Sequence, residues 1–75
     1  MALIKDIKPL TLKTSAKHSD AECTFSVIDE GGRKLLQLDT YGSSGRQIPG
    51  KKSQSLRFTP EALLVLKQII QNNGL

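Results

Sequence analysis

The chain has 75 residues and carries eleven lysine and arginine residues against seven aspartate and glutamate residues, a formal charge of +4 at neutral pH. This length supplies one hydrophobic core of marginal stability, and a single cysteine excludes an internal disulfide. No apolar run approaches the ~20 residues of a membrane span, and charged residues interrupt the N-terminus where a signal peptide would be apolar, so we expect one soluble, cytoplasmic domain.

The N-terminal third contains one strand pattern. Pro9 blocks a continuing helix, while residues 10–14 alternate apolar and polar side chains as a short strand does. We therefore expect an edge strand at residues 10–14, followed by a polar connection.

Two alternating runs follow, at residues 22–29 and 33–41, and a turn signal joins them. Gly31-Gly32 supplies the positive φ angles that a tight hairpin needs, so we expect the two runs to pair as antiparallel strands. Leu35 is an apolar residue that falls on the polar side of the second run. The residues predicted to form the apolar side are Cys23, Phe25, Val27, Leu36 and Leu38.

A third alternating run at residues 53–59 places Leu56 and Phe58 on the inward side and leads into a well-marked helix. Thr59 is a good N-cap, Pro60 suits the first helical position, and an apolar arc runs from Ala62 to Ile70. The sequence thus predicts an α+β fold, with three to four antiparallel strands backed by one C-terminal amphipathic helix over residues 60–72.

Few residues are suited to catalysis or to metal binding. His18 is the only histidine and lies in a polar connection, while Cys23 falls on the apolar side, where we expect a small core residue. These two residues fall short of the three or four ligands that a zinc site needs. Gly42-Ser43-Ser44-Gly45 lacks the lysine and the following helix of a phosphate loop. We therefore expect no enzyme activity, no metal and no cofactor.

Positive charge is concentrated in one stretch of the chain. No acidic residue lies between Asp39 and Glu61, whereas four basic residues do, namely Arg46, Lys51, Lys52 and Arg57. Lysine and arginine neutralise phosphates, and Tyr41 can stack on a base, so the pattern favours binding of a single-stranded nucleic acid. The composition is equally compatible with a polar sheet face that is merely solvated.

Several short motifs resemble, in order and spacing, the positive-cofactor-four family of transcriptional coactivators. They are Lys34-Leu35-Leu36-Gln37-Leu38-Asp39-Thr40-Tyr41, Pro49-Gly50-Lys51-Lys52, Ser55-Leu56, and Thr59-Pro60-Glu61 at the start of the helix. The resemblance covers about residues 24–70. It implies a curved antiparallel sheet, a homodimer, and single-stranded DNA lying across the sheet face opposite the helix. The matching positions are Lys34, Tyr41, Pro49, Gly50, Lys51 and Lys52.

The chain departs from the family pattern at three places. Ser53-Gln54 replaces a Gly-Ile pair, and one extra residue precedes the serine-leucine step. Asp39 stands where the family has a basic residue. Because like charges repel, an acid on this face opposes phosphate binding, and Asp39 is the position that most weakens the inference of DNA binding.

We therefore expect a dimeric, transcription-cofactor-like module that binds single-stranded DNA or RNA. The residues expected to contact phosphate are Lys34, Arg46, Lys51, Lys52 and Arg57, with Tyr41 stacking on a base. Its small size without disulfide or metal is a separate reason for self-association. It would be nucleoid-associated in a bacterium and nuclear in a eukaryote.

Two other functions rank lower. A protein-interaction module would recruit a partner chain through the strand at residues 10–14 or through the helix, with the polar sheet face merely solvated. A regulator that grips duplex DNA is disfavoured, because Lys67 is the one basic residue of an amphipathic helix, whereas recognition helices are polar and basic.

Overall fold

A single sheet and one helix make up the fold in the computed structural model, which describes residues 1–13, 20–41 and 52–75, with the backbone alone for Lys52 and Ser53. The elements in these ranges are β1 (Ala2–Ile4), β2 (Glu22–Glu30), β3 (Arg33–Tyr41), β4 (Lys52–Phe58) and α1 (Pro60–Asn72). The strand order is β1-β4-β3-β2, with β1 parallel to β4 and the other pairs antiparallel. The predicted α+β class, a sheet backed by a C-terminal helix, is confirmed.

The β2–β3 hairpin is closed by two glycines. Gly31 and Gly32 have φ angles of 60° and 81°, the positive values that a two-residue type I′ turn requires. From this turn the pairing continues in step, from Glu30 opposite Arg33 to Glu22 opposite Tyr41. The local turn chemistry therefore fixes which residues of the two strands share a side.

The start of α1 is held by hydrogen bonds on two sides. The Thr59 hydroxyl oxygen accepts a hydrogen bond from the backbone N–H of Ala62 at 3.2 Å, as the predicted N-cap should. The backbone N–H of Thr59 donates to the carbonyl of Ile4 at 3.0 Å, which ties the helix start to β1. The helix ends where the sequence predicts. Within the described residues, no helix is long and apolar enough to cross a membrane.

The fourth strand is not where the sequence predicts it. Residues 10–13 form no strand, and Leu10 and Leu12 are exposed, while residue 14 lies outside the described residues. The edge strand is β1, and because it runs parallel to β4 the sheet is mixed, not antiparallel as predicted. β1 places Ile4 opposite Phe58, and the Ile4 carbonyl accepts the hydrogen bond from Thr59, so these pairings hold the fourth strand at residues 2–4.

One side of the sheet carries the residues predicted to face inward, and we call it the apolar face: Cys23, Phe25, Val27, Leu36, Leu38, Leu56 and Phe58. Phe58 is buried, whereas Phe25 and Val27 on the edge strand β2 are 71% and 64% exposed. The reason is that α1 packs mainly on β3 and β4. Cys23 is also exposed, so the prediction that it is a core residue is wrong. His18 and residues 42–45 lie outside the described residues.

Removing the hydroxyl of Thr59 should destabilise the start of α1. Thr59→Ala takes away the oxygen that accepts the hydrogen bond from Ala62, and loss of an N-cap costs about 1 kcal/mol of unfolding free energy. Thr59→Ser keeps this oxygen and is the matched control, with a smaller expected cost. Urea denaturation measures both variants. Equal destabilisation by the two substitutions would contradict the capping role.

Candidate nucleic-acid interface

The side of the sheet opposite the apolar face carries a row of polar residues on β3 and β4. The register places Gln37 opposite Arg57 and Asp39 opposite Ser55. Tyr41 follows on the same side at the end of β3, where its hydroxyl is hydrogen-bonded to the Thr24 hydroxyl at 3.0 Å. We call these five residues, Gln37, Asp39, Tyr41, Ser55 and Arg57, the polar face.

Gln37 links a positive and a negative side chain of the polar face. Its Nε2 donates to the two carboxylate oxygens of Asp39 at 3.1 and 3.2 Å. Its Oε1 accepts from Nη2 and Nε of Arg57 at 2.6 and 3.1 Å. Ser55 Oγ donates to Asp39 from the neighbouring strand. Both the nitrogen and the oxygen of the Gln37 amide are therefore hydrogen-bonded. These bonds fix the orientation of the Arg57 guanidinium and of the Asp39 carboxylate.

The centre of the polar face is buried, whereas the part of the apolar face that lies on β2 is exposed. Asp39 is 3% exposed and Gln37 is 7% exposed, and Leu35, on the same side of β3, is also buried. A buried carboxylate is costly unless donors satisfy it. Among the described side chains, no buried nitrogen or oxygen lacks a hydrogen-bond partner. At its centre, this surface is therefore ordered by internal hydrogen bonds.

The structure brings some of the predicted binding residues together and separates others. Tyr41 and Arg57 both belong to the polar face. The backbone of Lys52 lies opposite Tyr41, next to an irregularity in the pairing. Lys34 lies on the side of Leu36, away from that surface. The predicted or matching positions outside the described residues are Arg46, Pro49, Gly50 and Lys51.

Arg57 is held in place but retains a side open to solvent. Its side chain is 26% exposed, and its Nη1 lies 3.5 Å from a carboxylate oxygen of Glu30, whose side chain is 66% exposed. An exposed ion pair of this length contributes little to stability. An incoming phosphate can therefore replace Glu30 at Nη1 while Gln37 continues to hold the other two nitrogens.

The residues that hold Arg57 and Asp39 were not predicted as site residues. Gln37 and Ser55 carry no charge and match no binding motif. The one sequence feature that could have identified them is the alternation along each strand, which puts both residues on the polar side. Their pairing depends on the register between β3 and β4, which alternation within one strand does not determine.

Comparison with known proteins supplies no identity for this chain. It matches no protein-family model, no curated protein and no solved structure. Within the described residues, no group of three or more histidine, cysteine, aspartate or glutamate side chains could hold a metal ion. The polar face and the charges around it are therefore the features that bear on function.

Asp39→Asn should destabilise the fold although it preserves the size of the side chain. It replaces a carboxylate oxygen with an NH₂ group, which then faces a donor from Gln37 or Ser55. A buried donor left without an acceptor costs about 1–3 kcal/mol of unfolding free energy. Asp29→Asn, at an exposed position of β2, is the control and should cost less than about 0.5 kcal/mol. Similar urea midpoints for both variants would rule out this role for Asp39.

Proposed function

We propose that this chain binds single-stranded DNA or RNA across its polar face, as a homodimeric, transcription-cofactor-like module without a catalytic step. The observation that carries the proposal is that Tyr41 and Arg57 share one side of β3 and β4. An aromatic ring that stacks on a base and a cation that contacts phosphate are the two elements of single-strand binding. The protein would act in the cytoplasm or nucleoid of a bacterium, or in the nucleus of a eukaryote.

The positive charge of residues 46–57, which include most of β4 and the residues before it, supports this proposal. We call residues 46–57 the basic stretch; it contains Arg46, Lys51, Lys52 and Arg57 and no acidic residue. Lysine and arginine that neutralise phosphates release counterions, so binding through such a stretch weakens steeply with salt. Lys34 lies on the other side of the sheet, so the proposed contact does not include it.

Asp39 is the residue that most opposes phosphate on this surface, and its surroundings reduce that opposition. Its carboxylate is buried and accepts hydrogen bonds from Gln37 and Ser55. Gln37 also connects it to the positive charge of Arg57. We therefore propose that the nucleic acid contacts Tyr41, Arg57 and the basic stretch, and that Asp39 acts as an internal support.

Uncovered apolar residues support the homodimer. Phe25 and Val27 are exposed on β2, and Leu64 and Ile70 are exposed on α1. Exposed apolar surface is a common mark of protein–protein contact, and a chain of 75 residues buries only part of its surface alone. We propose that a second copy covers the apolar face, which leaves Tyr41 and Arg57, two partly exposed residues of the polar face, outside the dimer contact.

A protein-interaction module is the second candidate, and the exposure of β2 favours it. Phe25 and Val27 lie on an edge strand, where a partner can add a strand of its own. Association through apolar contacts depends little on salt, whereas binding to phosphates weakens steeply with salt. The salt dependence of binding therefore distinguishes the two functions.

Replacing Lys51 and Lys52 together with alanine should weaken binding to all single-stranded sequences. Loss of two cations should also flatten the dependence of log affinity on log salt by roughly one to two phosphate contacts. Titration of a fluorescent single-stranded oligonucleotide at low and moderate salt measures both effects. Lys67→Ala, on the exposed side of α1, is the control and should have no effect. An unchanged salt slope in the double variant would contradict phosphate contact by the basic stretch.

Tyr41→Ala should weaken binding without changing the salt slope. Loss of a stacking ring costs about 1–3 kcal/mol of binding free energy. Tyr41→Phe keeps the ring and loses only the hydroxyl that contacts Thr24, so it should bind nearly as well as the unmodified protein. The same oligonucleotide titration applies. A phenylalanine variant as weak as the alanine variant would argue against stacking.

The homodimer should give a mass of twice 8.2 kDa in sedimentation equilibrium at high micromolar concentration. Val27→Lys places a charge in the proposed contact and should shift the equilibrium toward the single chain. Ser26→Lys, the neighbouring exposed residue on the opposite side of β2, is the matched control and should remain dimeric. A mass of 8.2 kDa for the unmodified protein would contradict the proposed homodimer.

A further inference from the structure

A cleft of about 440 Å³ lies on the same side of the sheet as the polar face, where β1 approaches the β2–β3 hairpin. Small-molecule sites have volumes of roughly 300–1,000 Å³, so the cleft is large enough for a small ligand. The lining residues whose chemistry matters are Leu3, Lys5, Glu30, Arg33, Leu35 and Arg57.

Part of the cleft is apolar. Leu35 is buried on the polar side of β3, and Leu3 lies opposite Arg57 where β1 pairs with β4. Together they offer an apolar surface of the kind on which a planar ring can lie. A site for a small inorganic anion alone would have no use for this surface.

The other lining residues carry an excess of positive charge. Lys5, Arg33 and Arg57 line the cleft with one acidic residue, Glu30, and a second carboxylate, that of Glu61, pairs with Arg33. Both hydrogen bonds from Arg33 to Glu61 come from Nη2, at 2.8 and 2.9 Å, so Nε and Nη1 of Arg33 are not used by the described residues. Lys5 has no hydrogen-bond or ion-pair partner in the described part of the chain. These free donors are available to an anionic group.

We propose that this cleft binds a nucleotide, with its phosphate at Lys5 and Arg33 and its base on Leu3 and Leu35. Arginine and lysine together suit a phosphate, because Nη1 of Arg33 can donate a charge-assisted hydrogen bond while the ammonium of Lys5 adds a point charge. The apolar surface of Leu3 and Leu35 would contact the planar base.

The same chemistry is present in a free mononucleotide and in one nucleotide of a single strand. Arg57 belongs both to the cleft and to the polar face. A strand that passes Tyr41 and Arg57 can therefore continue into the cleft, and this second case rests on the proposed function.

The test is an NMR titration of the isotopically labelled full chain with adenosine monophosphate. The amide signals of Leu3, Lys5 and Arg33 should shift, whereas adenosine alone and inorganic phosphate alone should shift them far less. Lys5→Ala should weaken binding about two- to fivefold, as expected for one exposed charge pair. Lys8→Ala, exposed and outside the cleft-lining set, should bind normally. Equal shifts with inorganic phosphate alone, or undiminished affinity in Lys5→Ala, would overturn the proposal.

A parallel titration with a single-stranded oligonucleotide separates this inference from the proposed function. Displacement of a labelled oligonucleotide by adenosine monophosphate, with the cleft signals shifted in both cases, would support one shared subsite. If the oligonucleotide binds and neither ligand shifts the cleft signals, the cleft proposal fails while the proposed function stands. If adenosine monophosphate shifts the cleft signals and no oligonucleotide binds, the proposed function fails while the cleft proposal stands.

Discussion

Gln37 makes hydrogen bonds in two directions, and the polar side of the central strands depends on them. Its amide nitrogen donates to Asp39, and its oxygen accepts from Arg57. Loss of the donors or of the balancing cation around a buried carboxylate strongly destabilises the folded protein. The hydrogen bonds of Gln37 therefore stabilise the buried carboxylate of Asp39 and fix the position of the Arg57 guanidinium at the surface. The proposed contact with nucleic acid and the shared wall of the cleft both use this position of Arg57.

Parts of the sheet depart from the usual distribution of burial. Asp39 and Gln37 are buried, while Phe25 and Val27 are exposed. In a chain that functions alone, the exposed positions would be expected to carry the polar residues. The exposure of Phe25 and Val27 is accounted for if a second copy covers the apolar face, and the burial of Asp39 goes with its hydrogen bonds from Gln37 and Ser55. Dimerisation and nucleic-acid binding would then use opposite sides of one sheet and would not compete.

The elements that local signals specify were predictable from sequence, and those that depend on distant contacts were not. Gly31-Gly32 and the capping residue Thr59 define the hairpin and the helix within a few residues. β1 has three residues and depends on pairing with β4, more than fifty positions away in the chain. In the candidate site, alternation places Tyr41 with Arg57 and could have shown that Lys34 lies on the other side. The burial of Asp39 required the register between β3 and β4.

We propose that the polar face binds single-stranded nucleic acid. The most direct measurement is an NMR map of amide shifts on the isotopically labelled chain when an unlabelled single-stranded oligonucleotide is added at low salt. We expect shifts concentrated at Tyr41, Ser55 and Arg57, unchanged signals around Lys67 on α1, and loss of the shifts when salt is raised. Shifts confined to α1 or to the apolar face, or shifts that persist unchanged at high salt, would contradict it.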